Sequence, residues 1–265
     1  MQCRPGSPDT CPTPSAVKRL SGFIVLFALY QSAEGIGGRW LHSFPAQASL
    51  MVLALLAAWP VARWLGWSGG RAYALETRHG TWAWLPACLL TALILKLAAM
   101  RWGITAGIYV PTTEARTVHW AALLAGLPML LASTFVPSLA EDILTRGYLL
   151  RAAGIGWHHG AAFVLASTAL YVANHIYRLS LGPREWALLA SYGATCAVAA
   201  WRTGSLWPAV GLHWGWNLGN GVGDRTMPAE TADAAGATAL SIGMHAVMLV
   251  LILVATARRQ PAARR

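Results

Sequence analysis

The sequence predicts an all-α fold, a multi-pass transmembrane bundle of about eight helices, because its charged residues are few and segregated. Of 265 residues, 11% are Asp, Glu, Lys or Arg and 56% are hydrophobic, whereas about 25% are charged in an ordinary soluble domain. So few charges could not solvate the surface of a soluble protein of this length. High apolar content, glycines without a three-residue period and only four cysteines exclude disordered, collagen-like and disulfide-framework proteins.

Eight stretches free of charged residues are the candidate spans, since a spanning helix needs about 17–25 mostly apolar residues. They cover residues 20–33, 40–62, 79–95, 117–140, 152–177, 186–201, 203–223 and 234–257. Glu34 interrupts the first span. We expect residues 18–38 to be a retained helix and not a cleaved signal peptide, because Gln31, Ser32 and Ala33 form a poor cleavage site. The apolar run 117–154 is longer than one straight span, with Pro137 as the expected break.

A single membrane domain over residues 18–257 is predicted, between a tail rich in Pro, Ser and Thr (1–17) and a basic tail (258–265). Thirteen basic residues would lie on the side of the N-terminus and seven on the other. The positive-inside rule therefore places both termini of a cell-membrane protein in the cytoplasm. The net charge of +10 then reflects topology and attraction to the lipid bilayer, and no nucleic acid is an expected partner.

The first of three polar clusters ends the fourth charge-free stretch. Polar groups at membrane depth are costly and therefore informative. Asp142 and Arg146 are four residues apart and can pair on one helix face, whereas Glu141 is rotated by about 100° and stays free for other work. The alternative is an acid–base cluster that ends a helix at the membrane surface.

The second and third clusters contain the two candidate imidazoles. His175 follows Tyr171 by four residues and is expected on the same helix face. His213 and Asn217 share the same spacing inside an uncharged span. The alternatives are a hydrogen-bonded interfacial histidine and an interhelical polar pair that holds the bundle together.

The spacing of the clusters predicts that they meet. A helical hairpin that turns near residues 154–160 places Glu141 and His175 at one depth on facing helices, and His213 and Asn217 can join them. A carboxylate, two imidazoles and an amide suit proton transfer or hydrolysis. Glu141 would act as a general base on water, His175 would hold that water, and the third cluster would supply oxyanion donors. No GxSxG or HExxH pattern supports a serine hydrolase or a zincin.

The three motifs resemble the signature of the CPBP family, the CAAX-processing and bacteriocin-processing (abortive-infection) intramembrane proteases. The family has two acids, three residues and Arg, then an aromatic residue, three residues and His, then His, three residues and Asn. Here these positions are Glu141, Asp142, Arg146, Tyr171, His175, His213 and Asn217, in a motif core over residues 118–222. Asp142 stands where the family usually has a second Glu, and Tyr171 where it usually has Phe.

The resemblance implies a CAAX-protease-like fold and an intramembrane endopeptidase of the type often labelled a metalloprotease. Glu141 and His175 would activate water, His213 and Asn217 would stabilise the oxyanion, and Asp142, Arg146 and Tyr171 would support the site. We expect no required cofactor. If a metal such as zinc is bound, its ligands would be Glu141, His175 and His213.

The expected substrate is a membrane-associated protein or peptide, so that the enzyme would mature membrane-anchored or exported proteins. Two alternatives stay open. One is a catalytically silent membrane scaffold of the same fold. The other is a transporter or proton-relay protein, for which Glu34 in the first helix and His245 in the eighth would be pathway residues.

Overall fold

The computed structural model describes residues 14–76, 80–112, 120–153 and 159–257, and these residues form eight α-helices. Two helices continue as π-helices, Ala33–Trp40 after α1 and Ile143–Ala152 after α4. The predicted all-helical fold and its number of helices are confirmed. The helices are α1 (Ala16–Ser32), α2 (Phe44–Trp64), α3 (Trp84–Thr105), α4 (Trp120–Asp142), α5 (Gly160–Asn174), α6 (Pro183–Thr203), α7 (Trp207–Thr226) and α8 (Ala234–Ala255).

Short elements join the helices. Single 3-10 turns are formed by Gly69–Tyr73, Thr81–Ala83 and Leu179–Leu181. Two three-residue strands, β1 (Tyr109–Pro111) and β2 (Ala229–Thr231), pair antiparallel with Tyr109 opposite Thr231. This pairing ties the segment after α3 to the segment after α7 and so holds one end of both helices together.

Local sequence signals explain where several helices begin and end. The side chains of Ser15, Ser43 and Asp233 accept backbone N–H groups in the first turns of α1, α2 and α8, as N-caps do. Gly204 adopts a left-handed φ of 69° directly after α6, a conformation that glycine reaches without a steric penalty. The N-terminal tail was predicted to end at residue 17, whereas α1 already begins at Ala16. Residues 1–13, 77–79, 113–119, 154–158 and 258–265 lie outside the described ranges.

Five helical segments are long and apolar enough to cross a membrane, and the chain is therefore an integral membrane protein. They are Ala16–Trp40, Phe44–Trp64, Thr81–Thr105, Trp120–Ala152 and Ala234–Ala255. Among the described residues, the other three predicted spans do not meet these criteria. α5 is short, and α6 and α7 bury many of their side chains inside the bundle, so these side chains need not be compatible with lipid.

The third predicted span, residues 79–95, corresponds to a helical segment that extends further, over Thr81–Thr105. α3 runs on to Thr105 and includes Lys96 and Arg101, which the sequence placed outside the membrane. The Lys96 ammonium group lies 4.9 Å from the centre of the Trp216 ring, and this cation–π contact accommodates a charge within an apolar helix. A count of charge-free residues cannot register such a contact.

The expected break at Pro137 does not occur. α4 continues through this proline to Asp142 and then changes from α- to π-helical geometry. Hydroxyl groups line the same stretch: Thr134 donates to the Leu130 carbonyl at 2.7 Å, and Ser138 donates to the Thr134 carbonyl at 2.7 Å. Side-chain hydroxyls of this kind help helices to tolerate proline inside a membrane.

Glycines let α7 approach α3 closely. Gly211, Gly215, Gly219 and Gly223 recur every four residues on the side of α7 that faces α3. A Cβ atom at Gly215 would lie 2.2 Å from the Leu89 carbonyl oxygen, so no other residue fits without separating the helices. Small residues allow this backbone contact in membranes, and the contact holds the helix that carries His213.

Candidate active site

The two adjacent acids are the last residues of α4, immediately before its π-helical continuation. The predicted pair of Asp142 and Arg146 is confirmed, and both side chains are completely buried. The Arg146 guanidinium also lies 4.6 Å from the centre of the Tyr171 ring. Asp142 and Arg146 therefore form the buried base of the site, and Tyr171 is the aromatic surface on which the guanidinium rests.

The π-helical segment after α4 is anchored by contacts with Tyr73 and with α1. A Cβ atom at Gly147 would lie 2.9 Å from the Tyr73 carbonyl oxygen, which explains a glycine directly after Arg146. The next residue, Tyr148, donates its hydroxyl hydrogen to the Arg19 carbonyl of α1. π-Helical turns are frequent at functional sites, and here the turn begins one residue after Asp142.

His175 lies just beyond α5, because that helix ends at Asn174. His175 is therefore not on the same helix face as Tyr171, as was expected. The chain bends after α5, and the two side chains are still in contact. The ring centres are 4.6 Å apart, and Nδ1 lies 2.8 Å from the Tyr171 carbonyl oxygen. Since a carbonyl only accepts, Nδ1 carries the hydrogen and donates it.

Glu141 lies between two imidazoles from different helices. Its Oε1 is 3.5 Å from His175 Nδ1, and its Oε2 is 3.6 Å from His213 Nε2. The exposed fractions are 6% for Glu141, 4% for His213 and 15% for His175. The site therefore joins α4, the end of α5 and α7 in a nearly closed cluster, and its more accessible side is that of His175.

His213 is oriented by groups on three sides. Its Nδ1 faces Asp142 Oδ1 at 3.4 Å, although these two atoms do not have hydrogen-bond geometry. The rings of Tyr171 and Tyr192 pack edge-on against the imidazole at 6.1 and 5.7 Å between centres. The Nε2 edge is thereby directed at Glu141.

Asn217 lies one helical turn from His213, and its amide nitrogen donates to the Ser138 hydroxyl at 3.0 Å. Ser138 precedes Glu141 by three residues on α4. The neighbouring Trp214 makes a similar bond to Thr134, at 3.1 Å. The structure therefore brings Asn217 to the same face of α4 as the acids but anchors it one turn away from Glu141.

Asn174 belongs to this cluster, although it was not selected as a site residue from the sequence. Its side-chain nitrogen donates to Glu141 Oε1 at 3.0 Å, and its side chain is buried. Gln31 of α1 in turn contacts Asn174. The available signal was an amide inside a charge-free stretch directly before His175, but many such amides only join helices.

The donor set of Glu141, His175 and His213 contains the residue types that zinc prefers. Their arrangement does not present three ligands to one point, because Nδ1 is both the nitrogen of His175 nearest Glu141 and the donor to Tyr171. Within the described ranges, no group of three or more His, Cys, Asp or Glu residues is placed to hold a metal ion. We therefore assign no reaction step to a metal.

The two candidate pathway residues have local partners. Glu34 lies 3.7 Å from Arg39, whose guanidinium covers the Tyr177 ring at 4.4 Å. His245 Nδ1 lies 2.8 Å from the Ser191 hydroxyl, and its ring packs against Tyr192 and Trp216. Both residues thus have partners of their own, although the Tyr192 ring contacts His213 as well as His245.

Comparison with known proteins adds one positive finding. Residues 122–219 match a family model described as type II CAAX prenyl endopeptidase Rce1-like. The matched segment is less than half of the chain, but it contains Glu141, His175, His213 and Asn217. No curated protein and no solved structure was found to match the chain.

Proposed function

We propose, from the premise that residues 122–219 form a domain of the Rce1-like type II CAAX prenyl endopeptidase family, that this peptidase cleaves a peptide bond within or beside the bilayer. The observation that carries the proposal is the Glu141 carboxylate, 6% exposed and within 3.6 Å of two imidazoles. A carboxylate that is shielded from bulk water and flanked by imidazoles is suited to general base catalysis.

The proposed reaction begins with a water molecule held between Glu141 and His175. Glu141 takes a proton as the water oxygen attacks the scissile carbonyl carbon, and the carbonyl oxygen becomes an oxyanion. His213 and Asn217 are the proposed oxyanion-binding groups. One N–H of Asn217 bonds to Ser138, and the amide retains a second N–H for the oxyanion. Glu141 then returns its proton to the leaving amine as the C–N bond breaks.

Asp142, Arg146 and Tyr171 are the proposed supporting residues. The buried pair of Asp142 and Arg146 holds the end of α4, and Asp142 also faces His213 Nδ1. Tyr171 contacts Arg146, His175 and His213 through its ring. These contacts support one common role, the orientation of the two imidazoles around the Glu141 carboxylate.

The orientation in the membrane bears on the substrate. His175 lies at the end of α5 opposite Ala153, whose carbonyl accepts a hydrogen bond from Arg19 near the start of α1. With the termini in the cytoplasm, as the charge bias favours, the site lies towards the outer half of the membrane. This placement suits the maturation of membrane-anchored or exported proteins better than the cleavage of cytosolic prenylated tails.

The test is a comparison of membrane-protein termini in cells that carry the wild type, Glu141→Gln or Glu34→Gln at equal expression. Glu141→Gln nearly preserves shape but removes the base, so defined termini should disappear, with a loss of about 10²–10⁴-fold in cleavage. Glu34→Gln is the matched control, because Glu34 pairs with Arg39, and should cleave normally. Termini that persist in Glu141→Gln would exclude Glu141 as the base.

These three strains, together with a strain that lacks the gene, separate the alternatives. A phenotype that appears on loss of the gene but not in Glu141→Gln would favour the scaffold hypothesis. A phenotype that follows Glu34→Gln without any change in termini would favour proton relay or transport.

A further inference from the structure

The first helix reaches the candidate active site through Gln31, which precedes the family-matched segment by some 90 residues of chain. Gln31 is 7% exposed and lies in the last turn of α1. Its side-chain nitrogen donates to the Asn174 side-chain oxygen at 2.9 Å and to the Asn174 backbone carbonyl at 2.6 Å. Because both partners only accept, the Gln31 amide must present its NH2 group to them.

Asn174 connects this amide to Glu141. Its Nδ2 donates to Glu141 Oε1 at 3.0 Å, the same oxygen that lies 3.5 Å from His175 Nδ1. Oε2 is left to face His213 at 3.6 Å. The amide bond therefore holds one oxygen of the carboxylate and leaves the other directed at the second imidazole, and the Tyr30 hydroxyl of α1 also lies against this carboxylate.

Gln31 also determines which way the Asn174 amide points. If that amide were flipped, its oxygen would face the Glu141 carboxylate and its NH2 group would face the NH2 group of Gln31. Both contacts would be repulsive, and each of these side chains is buried, where unpaired polar groups are costly. The orientation of Asn174 thus depends on a donor that α1 supplies.

We propose that Gln31 and Asn174 are positioning residues, which hold the Glu141 carboxylate in its reactive rotation through a two-amide relay from α1. The inference rests on the proposed role of Glu141 as the general base. Neither amide touches the scissile bond; Gln31 acts through Asn174, and Asn174 acts through Glu141. Outer hydrogen-bond partners of reactive groups commonly have effects of this kind.

The test uses the full-length protein and a peptide that spans a scissile bond found in the comparison of termini. Asn174→Leu removes both polar groups at similar size, and Gln31→Glu keeps the size but replaces the donor by an acceptor. We expect kcat to fall by about 10–100-fold in each variant with KM unchanged. Because Gln31 acts through Asn174, the double variant should be no slower than Asn174→Leu alone.

Gln47→Leu is the matched control. Gln47 is a half-buried glutamine of α2, packed beside Gly38 and separate from the relay, so kcat should stay at the wild-type value. If the losses in the single variants add in full in the double variant, or if Gln47→Leu loses as much activity, the relay is overturned and the amides only hold helices together.

An infrared measurement separates this inference from the proposed function. Protein labelled with ¹³C-glutamate, with the Glu141→Gln spectrum subtracted, reports the carboxyl band of Glu141 without any substrate. The band should shift in Asn174→Leu and shift no further in the double variant. If no termini depend on Glu141, the proposed function fails while this spectrum still decides the relay; a band that is unchanged in Asn174→Leu overturns the relay.

Discussion

Asp142 Oδ1 lies 3.4 Å from His213 Nδ1, while Glu141 of the same helix faces the other nitrogen of that imidazole at 3.6 Å. Two consecutive acids thus lie on the two edges of one ring. Asp142 can orient the imidazole only if its own side chain is fixed, and the buried ion pair with Arg146 fixes it. In the proposed reaction, the first of these two adjacent acids carries out the chemistry and the second supports it.

Asp142→Asn should strongly destabilise the protein. Arg146 is completely buried, and breaking a buried ion pair by removing one partner costs about 3–5 kcal/mol because the remaining charge has no counterpart. The measurement is thermal unfolding in detergent with wild type in parallel. The double variant Asp142→Asn with Arg146→Gln removes both charges and should regain part of the loss; equal stability of the wild type and Asp142→Asn would refute the prediction.

Gly215→Ala should lower both stability and cleavage. The added Cβ would lie 2.2 Å from the Leu89 carbonyl oxygen, so α3 and α7 must separate, at a cost of about 1–3 kcal/mol as in overpacked cores. Cleavage should fall with it because His213 is two residues away on α7.

Gly243→Ala is the matched control for that substitution. Gly243 lies within α8, and no described residue lies within 4 Å of a Cβ added there. Stability should be unchanged or slightly higher, since alanine is favoured over glycine in a helix by about 1 kcal/mol. Equal losses in the two variants would show that the α3–α7 contact is not the cause.

The orientation predicted from the basic residues can be measured with cysteines introduced at Arg63 and Arg225, in a background with Cys3→Ser and Cys11→Ser that keeps only the buried Cys88 and Cys196. Both arginines are exposed, at the ends of α2 and α7 that lie on opposite sides of the bundle. A membrane-impermeant maleimide should label Arg225→Cys in intact cells and Arg63→Cys only after permeabilisation. The reverse pattern would invert the topology. Arg151 is a poorer reporter because it pairs with Glu76.

Cleavage should survive the removal of divalent metals. In the proposed reaction Glu141 is the base, and a carboxylate that ligated zinc could not serve in that role at the same time. The measurement is the rate of cleavage by the purified protein after extensive chelation, together with its zinc content. Activity that is lost and then restored by zinc would reassign Glu141, His175 and His213 as ligands.

The motif residues could be predicted because their signals are local in the sequence. Glu141, His175 and His213 are polar residues in or beside apolar runs, each with a motif partner at helical spacing, and such patterns indicate groups that meet at one depth in the membrane. The extent of α3 could not be predicted in this way. Lys96 is tolerated inside that helix because Trp216, more than a hundred residues later in the chain, covers its ammonium group.

The sequence by itself determined the membrane class, the number of helices and the residue types of the candidate site, since hydrophobicity and motif spacing are properties of neighbouring residues. Only the tertiary structure decided that Gln31 of α1 and Asn174 of α5 meet beside Glu141, and that Asn217 bonds to Ser138. Hydrogen bonds between distant helices depend on side-chain direction and helix separation to within an ångström or so, and hydrophobic periodicity contains neither quantity.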